Sequence, residues 1–149
     1  MARFLVLNGP NISILGRRLP GIYGTRTLDE INRDVAARAE SLGVEVVFYQ
    51  SNVEGHLIDC IQENWGKIQG IIVNPGALTH YGHSLKDALI DAAVPVIEVH
   101  LGNLYAREAW RRHSIISDIA RGQIAGFGWR SYTAALDIIA AIAEEGERA

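Results

Sequence analysis

The sequence predicts one α/β domain over residues 1–149, built on a doubly wound sheet of five parallel strands with helices on both faces. The chain length of 149 residues suits a single domain. Short apolar runs alternate along the chain with amphipathic stretches of helical period. The runs are apolar at successive positions, which is typical of parallel strands buried on both faces. Five such units favour the flavodoxin-like strand order 2-1-3-4-5.

The first strand and the first long helix have the clearest local signals. Residues 3–8, "RFLVLN", are predicted to form the first strand. Residues 28–42 carry apolar side chains at helical spacing. Thr27 and Glu30 form a capping box before this segment, and Gly43 follows it, so both ends of the helix are marked.

The rest of the chain continues the alternation. A second capping box, Ser51 to Glu54, predicts where the next helix begins. The remaining elements are predicted at 44–50 (strand), 54–65 (helix), 70–74 (strand), 83–93 (helix), 94–100 (strand), 107–112 (one or two helical turns), 122–128 (strand) and 131–146 (helix).

Composition restricts the classes of partner. Apolar residues make up 48% of the chain, charged residues 21%, and the net charge is −3. This balance is typical of an ordinary globular protein and disfavours a nucleic-acid partner. No apolar run approaches the roughly 20 residues of a membrane helix. The single cysteine, Cys60, cannot form an internal disulfide. We therefore expect a cytoplasmic protein without a membrane partner.

The positive charges are mostly arginine, with 12 arginines and 2 lysines in the chain. The arginines cluster at positions 17, 18 and 26 and again at positions 107, 111 and 112. Taken singly, an arginine is most often a solvated surface residue. Because guanidinium groups suit bidentate recognition of carboxylate and phosphate, two clusters indicate an anionic ligand.

Polar, glycine-containing segments follow three of the predicted strands. They are "NGPN" at 8–11, "NPGALTHYGH" at 74–83 and "EVHLGN" at 98–103. Ligands of such sheets bind outside the carboxyl ends of the strands, and strands 1, 3 and 4 are neighbours in the predicted order. We therefore expect the three segments to form one shared site, although each alone could be a simple turn.

Two of these residues have the chemistry of an acid–base pair. Glu98 and His100 are two positions apart on a strand, so their side chains share one face. A carboxylate beside an imidazole orients the ring and favours its protonated form, which prepares a general acid. The alternative is a structural ion pair in the core.

The loop "LGRRLPGIYG" at 15–24 carries a second candidate pair. A guanidinium such as that of Arg18 favours the ionised form of a nearby phenol, here that of Tyr23. The glycines and the proline allow the loop to act as a lid that carries an activated base. The alternative is a surface turn with incidental residues.

Other site types have little support, so no metal or cofactor is expected. His80 and His83 have metal-like spacing, but no further ligand completes a set. The chain has no GxGxxG motif, no Walker lysine and no GxSxG elbow.

Long motifs resemble one known family, the type II 3-dehydroquinate dehydratases. They include "LVLNGPNI", "QSNVEGHLID", "GIIVNPGALTH", "PVIEVHLGN" and "IAGFG", and the resemblance extends over about positions 4 to 140. It implies a flavodoxin-like fold and a homododecamer arranged as a tetramer of trimers. It also implies conversion of 3-dehydroquinate to 3-dehydroshikimate without a cofactor, in aromatic biosynthesis or in quinate breakdown.

The resemblance assigns a role to each candidate residue. Tyr23 would be the base, Arg18 its activator and His100 the acid, with Glu98 as the partner of His100. Asn11 would stabilise the enolate intermediate. The residues implied to contact substrate are Asn74, His80, Leu101, Gly102, Arg107 and Arg111, together with Asp87 from a neighbouring subunit.

Gly102 departs from the family, which usually has serine at this position. The backbone N–H remains, but a hydroxyl donor is lost, and one hydrogen bond contributes roughly 1 kcal/mol. We therefore expect the protein to bind its substrate several-fold more weakly but still to turn it over. The lid also has Leu19 and Gly21 where acidic residues commonly flank the proline, which alters its charge.

Two rival functions follow from the residues. Lys86 lies beside a motif, so dehydration through a lysine imine is a rival chemistry. The missing serine at position 102 also allows a non-catalytic ligand-binding or scaffold protein that keeps the fold.

Overall fold

Five parallel strands form one sheet in the order β2-β1-β3-β4-β5 in a computed structural model, which describes residues 1–148 and the side chains of residues 1–146. The predicted fold class and strand order are therefore confirmed. The strands are β1 (Arg3–Asn8), β2 (Glu45–Gln50), β3 (Gly70–Asn74), β4 (Val96–His100) and β5 (Gly122–Ala125).

Within residues 1–148, five α-helices connect or cover the strands. They are α1 (Pro20–Tyr23), α2 (Leu28–Leu42), α3 (Glu54–Glu63), α4 (His83–Asp91) and α5 (Arg130–Arg148). Short 3-10 turns occupy Ile12–Ile14, Gly76–His80, Leu104–Ala106 and Ala109–Arg112. No helix in the described part of the chain is both long and apolar enough to span a membrane.

The two faces of the sheet have separate apolar cores. Phe4 and Val6 of β1 pack against α2 and α5, whereas Leu5 and Leu7 pack against α3 and α4. Because side chains alternate along a strand, a strand apolar at every position supplies both cores. This arrangement explains why the predicted strands read as uninterrupted apolar runs.

Helix α2 has the ends predicted from its sequence. Thr27 and Glu30 form the reciprocal capping box, and Gly43 ends the helix in a left-handed conformation (φ 71°). Local chemistry is sufficient here because all partners lie within four residues of a helix end.

The capping box predicted at Ser51 and Glu54 is wrong. The cap of α3 is Val53, without a side-chain hydrogen bond to the helix end. Ser51 Oγ instead accepts from the Val53 N–H, and Glu54 accepts from the Leu85 N–H of α4 at 3.0 Å. Glu54 therefore links two helices, which a local motif cannot reveal.

The other differences lie at element ends. Strand β5 stops at Ala125 rather than 128, because Gly126 and Gly128 adopt left-handed backbone conformations (φ 95° and 60°). Helix α4 stops at Asp91 rather than 93, just before Ala93 takes a positive φ of 56°. The single-turn helix α1, within the loop at 15–24, was not predicted.

Candidate active site

The carboxyl ends of β1, β3 and β4 meet at one edge of the sheet, as predicted. Asn8 and Asn74 are paired in register at the ends of β1 and β3, and His100 ends the adjoining strand β4. A cleft opens beside these ends. It is lined by Ile12, Arg18, Tyr23, Asn74, Gly76, Ala77, His80, His100, Leu101, Gly102, Leu104, Arg107 and Arg111.

Nine of the twelve predicted site residues line this cleft. They are Arg18, Tyr23, Asn74, His80, His100, Leu101, Gly102, Arg107 and Arg111. Glu98 lies beneath His100 and is fully buried. Asn11 and Asp87 are exposed and do not line the cleft of this chain.

Tyr23 ends helix α1 and lies between two guanidinium groups. Arg107 Nη1 donates to the Tyr23 hydroxyl at 2.5 Å. The guanidinium carbon of Arg18 lies 4.7 Å from the centroid of the Tyr23 ring. Arg107 is therefore the arginine that contacts the phenol oxygen, and Arg18 contacts the ring face.

His100 is held by a buried carboxylate. His100 Nε2 lies 2.5 Å from Glu98 Oε2, on the shared strand face predicted from the sequence. Burial alone would raise the pKa of the Glu98 carboxyl. The hydrogen bonds from His100, Thr79 and Ser114 outweigh burial and lower this pKa to about 2. An ionised carboxylate only accepts hydrogen bonds, so the His100 Nε2–H group donates a hydrogen bond to Glu98.

Four further side chains anchor Glu98. Thr79 and Gln123 donate to Oε2 at 2.6 and 2.9 Å, and Ser114 and Ser117 donate to Oε1 at 2.8 and 3.0 Å. Together with His100, five donors surround one buried carboxylate. This network fixes the carboxylate, and through it the orientation of the His100 ring.

His80 and Arg111 share an aromatic neighbour. His80 Nδ1 donates to the His113 carbonyl at 2.7 Å, and its ring meets the edge of Trp110 at 4.9 Å. The guanidinium carbon of Arg111 lies 4.2 Å from the Trp110 ring centroid, and Arg111 Nε donates to Glu108. Both cleft residues are therefore oriented by contacts outside the cleft.

The family model described as "Dehydroquinase class II" matches residues 2–140. The chain belongs to this family. The family resemblance inferred from the sequence motifs is thereby confirmed.

Two sequence relatives and one solved structure are similar to this chain over nearly its whole length. The 3-dehydroquinate dehydratase of Herpetosiphon aurantiacus is 56% identical over 135 residues, which cover 91% of this chain and 94% of that protein. The 3-dehydroquinate dehydratase of Bacillus subtilis is 48% identical over 136 residues, covering 91% and 92%. The crystal structure of type II dehydroquinase from Propionibacterium acnes superposes with a TM-score of 0.90 at 38% identity, covering 95% and 97%.

Gly102, where the resemblance implies a serine, lies close to Ile22 of α1. Gly102 is buried, and a Cβ atom at this position would lie 3.2 Å from Ile22 Cγ2 and 3.5 Å from the Ile22 carbonyl oxygen. The glycine therefore allows α1 to pack closely on the end of β4. A larger residue at position 102 would require Ile22 to move by a few tenths of an ångström.

Several residues of this class II dehydroquinase site gave no signal in the sequence. Thr79, Ser114, Ser117 and Gln123 come from four separate positions and meet only at Glu98. Tyr132 of α5 lies behind the cleft and binds the side chains of both Asn8 and Asn74. No spacing rule connects these positions, because apart from Ser114 and Ser117, which share one loop, the partners lie on different elements.

Two loops of this class II dehydroquinase site pack closely against each other at two glycines. A Cβ at Gly9 would lie 2.5 Å from the Pro75 carbonyl oxygen, and one at Gly76 would lie 2.8 Å from that of Pro10. Gly76 also has a φ of +59°, which disfavours any side chain. The loops that follow β1 and β3 therefore approach each other through backbone alone.

Replacing Gly76 with alanine should lower the free energy of unfolding by about 2–4 kcal/mol, since backbone overlap and the left-handed conformation both oppose a Cβ. Urea unfolding followed by circular dichroism would measure this change. Gly55→Ala in α3, where a Cβ meets no atom within 4 Å, is the matched control. The control should raise stability by about 0.4–1 kcal/mol. Equal stabilities for the two variants would contradict the close approach.

Proposed function

We propose that this class II dehydroquinase converts 3-dehydroquinate to 3-dehydroshikimate and water by anti elimination through an enolate. The observation that carries the proposal is the juxtaposition in one cleft of a phenol bound to a guanidinium, Tyr23 with Arg107, and an imidazole bound to a buried carboxylate, His100 with Glu98. The 3-dehydroquinate dehydratases that share about half of its residues support the choice of substrate.

The base step uses Tyr23. The C3 ketone of the substrate acidifies the adjacent C2–H bond, and the Tyr23 phenolate removes that proton. The electron pair moves into an enolate oxygen. Arg18 and Arg107 balance the negative charge of the phenolate before transfer. The resemblance implies that Asn11 stabilises the enolate oxygen, an electrostatic contribution of the oxyanion-hole type. Asn11 adjoins Ile12 of the cleft but does not itself line it, so this role rests on the resemblance alone.

The acid step uses His100. The enolate collapses, the C1–O bond breaks, and His100 gives its proton to the departing hydroxyl, which leaves as water. Because Nε2 faces Glu98, Nδ1 is the nitrogen available to the substrate. The ionised Glu98 balances the positive charge of the imidazolium. Tyr23 then returns its proton to solvent and His100 regains one, so the cycle consumes no cofactor.

Substrate binding is assigned to the other lining residues. Arg111 and the backbone N–H groups near Gly102 would hold the substrate carboxylate, and Asn74 and His80 would bind its oxygens. Leu101 is 4% exposed and contributes an apolar wall. These roles rest on the resemblance and on the position of each residue at the cleft.

The homododecamer, a tetramer of trimers, is part of the proposal. Asp87 is exposed on α4 and does not line the cleft of its own chain, as expected of a residue that serves a neighbouring subunit. Sedimentation or light scattering should give a mass of at least three chains. A fully active monomer would contradict this assignment. The cytoplasmic location stays a prediction.

The decisive experiment follows the enone absorbance of 3-dehydroshikimate after 3-dehydroquinate is added to the purified protein. Turnover without any added cofactor supports the proposal. An absent signal at high protein concentration would favour the non-catalytic binder. Borohydride added during turnover should leave the protein mass unchanged, whereas a covalent adduct at Lys86 would establish the imine route instead.

A further inference from the structure

Two asparagines that end adjacent strands share one buried tyrosine. Asn8 and Asn74 are in register at the ends of β1 and β3, and Tyr132 of α5 is only 1% exposed. The Tyr132 hydroxyl donates to Asn8 Oδ1 at 2.6 Å and accepts from Asn74 Nδ2 at 2.9 Å. We call these three side chains the amide relay. The mechanism above assigns no role to Asn8 or Tyr132.

The direction of the amide relay is set by a backbone group. The Gly76 N–H donates to Asn74 Oδ1 at 3.2 Å. A backbone N–H can only donate, so Asn74 must turn its oxygen to Gly76 and its nitrogen to Tyr132. The Tyr132 oxygen therefore accepts from Asn74, and its single proton must point to Asn8. A reversed Asn74 amide would place two donors against each other at Gly76.

Both ends of this arrangement are fixed. The backbone of Gly76 packs against the Pro10 carbonyl, where a Cβ would lie 2.8 Å from the oxygen, so the anchoring N–H cannot shift freely. Burial raises the pKa of the Tyr132 phenol, and the hydrogen bond from Asn74 only partly opposes this effect. Tyr132 therefore keeps its proton at any pH at which the protein would work.

The orientation of the Asn74 amide matters for the cleft because Asn74 lines it. One N–H of the Asn74 amide is bound to Tyr132, and the amide oxygen is bound to Gly76. The second N–H has no acceptor among the described residues. We propose that Tyr132 and Asn8 are positioning residues that hold Asn74 as a hydrogen-bond donor toward the cleft. The free N–H of Asn74 then favours a ligand with an oxygen acceptor at this place in the cleft, such as a carboxylate, carbonyl or hydroxyl oxygen of the substrate.

With 3-dehydroquinate as the ligand, the inference rests on the proposed function. Tyr132→Phe removes only the oxygen that orients Asn74. We expect KM to rise about tenfold, the equivalent of one hydrogen bond to a charged or strongly polar ligand, while kcat changes much less. Tyr49→Phe, the same change on β2, is the control and should leave both constants as in the wild type. A folded Tyr132→Phe protein with wild-type KM would overturn the proposal.

A pair of aspartate variants tests the direction of the amide relay. Asn8→Asp preserves an acceptor for the Tyr132 proton, whereas Asn74→Asp replaces the donor that faces Tyr132 and the cleft. We expect Asn74→Asp to raise KM more than Asn8→Asp. The opposite ranking would show that the relay runs the other way. These variants also keep the proposal testable should Tyr132→Phe fail to fold.

A measurement without turnover separates this proposal from the proposed function. In ¹H–¹⁵N spectra of the ligand-free wild type, the Asn74 side-chain amide should give two distinct proton signals, and the proton bound to Tyr132 should exchange slowly with solvent. In Tyr132→Phe these signals should shift and exchange faster with solvent, and in Tyr49→Phe they should not. Unchanged signals in Tyr132→Phe would refute the relay. A wild type without dehydratase activity would refute the proposed function and leave this test intact.

Discussion

Replacing Tyr23 with phenylalanine should reduce kcat by about 10²- to 10⁴-fold, the range for loss of a positioned general base, with little change in KM. A phenyl ring packs as the phenol does but has no oxygen to accept the C2 proton. Turnover measured by enone absorbance gives both constants. Circular dichroism should show an unchanged fold, because Tyr23 is only partly buried.

Tyr105→Phe is the control for this experiment. Tyr105 lies in the 3-10 turn after β4 and is 69% exposed, so the loss of its hydroxyl should leave kcat unchanged. A Tyr23→Phe protein with wild-type kcat would remove Tyr23 from the mechanism.

The contributions of Arg18 and Arg107 to catalysis by Tyr23 can be tested separately. Arg107 contacts the phenol oxygen and Arg18 contacts the ring face, so alanine at either position should lower kcat more than it changes KM. A kcat unaffected by Arg18→Ala would transfer the activating role to Arg107 alone.

The second large expected effect is on the free energy of unfolding, to which the buried Glu98 carboxylate contributes in a pH-dependent way. Its pKa is about 2 in the folded protein and ordinarily 4.5, so the unfolded chain binds the proton more readily. Stability from this group is therefore fully present above about pH 4.5, declines as pH falls, and is lost once pH falls through about 2. The contribution at neutral pH is on the order of 3 kcal/mol.

Glu98→Gln should remove this contribution and place an amide N–H among five donors. We expect a loss of about 3–5 kcal/mol in the free energy of unfolding at pH 7, together with a lower kcat because a neutral amide replaces the charged partner of His100. Urea unfolding at pH 7, 4 and 3 should show that stability falls less steeply with acid in the variant.

Glu45→Gln provides the comparison for Glu98. Glu45 pairs with Arg3 at 2.9 Å, but about half of its side chain is exposed, so its removal should cost at most about 1 kcal/mol. Equal losses for the two variants would contradict a special role for the buried network around Glu98.

Local patterns account for the parts of the molecule that the sequence predicted well. The box of Thr27 and Glu30 and the glycine at 43 define α2, since the partners are neighbours in the chain. Strand alternation placed Glu98 and His100 on one face, and parallel topology brought three strand ends together. The Ser51–Glu54 box had the same local signal and did not form, because Leu85 of α4 offered Glu54 another donor.

By itself, then, the sequence determined the elements of the sheet and the edge at which the chemistry lies, because hydrophobic periodicity is a short-range pattern and parallel strands end on the same edge. The strand order was predicted from the order usual for such folds, not from a local pattern. Tertiary structure alone decided that Arg107, rather than Arg18, contacts the Tyr23 oxygen across 84 positions of chain. It also decided which donors surround Glu98 and that Tyr132 links Asn8 to Asn74. Such contacts depend on how separate helices and loops pack, and no spacing along the chain encodes them.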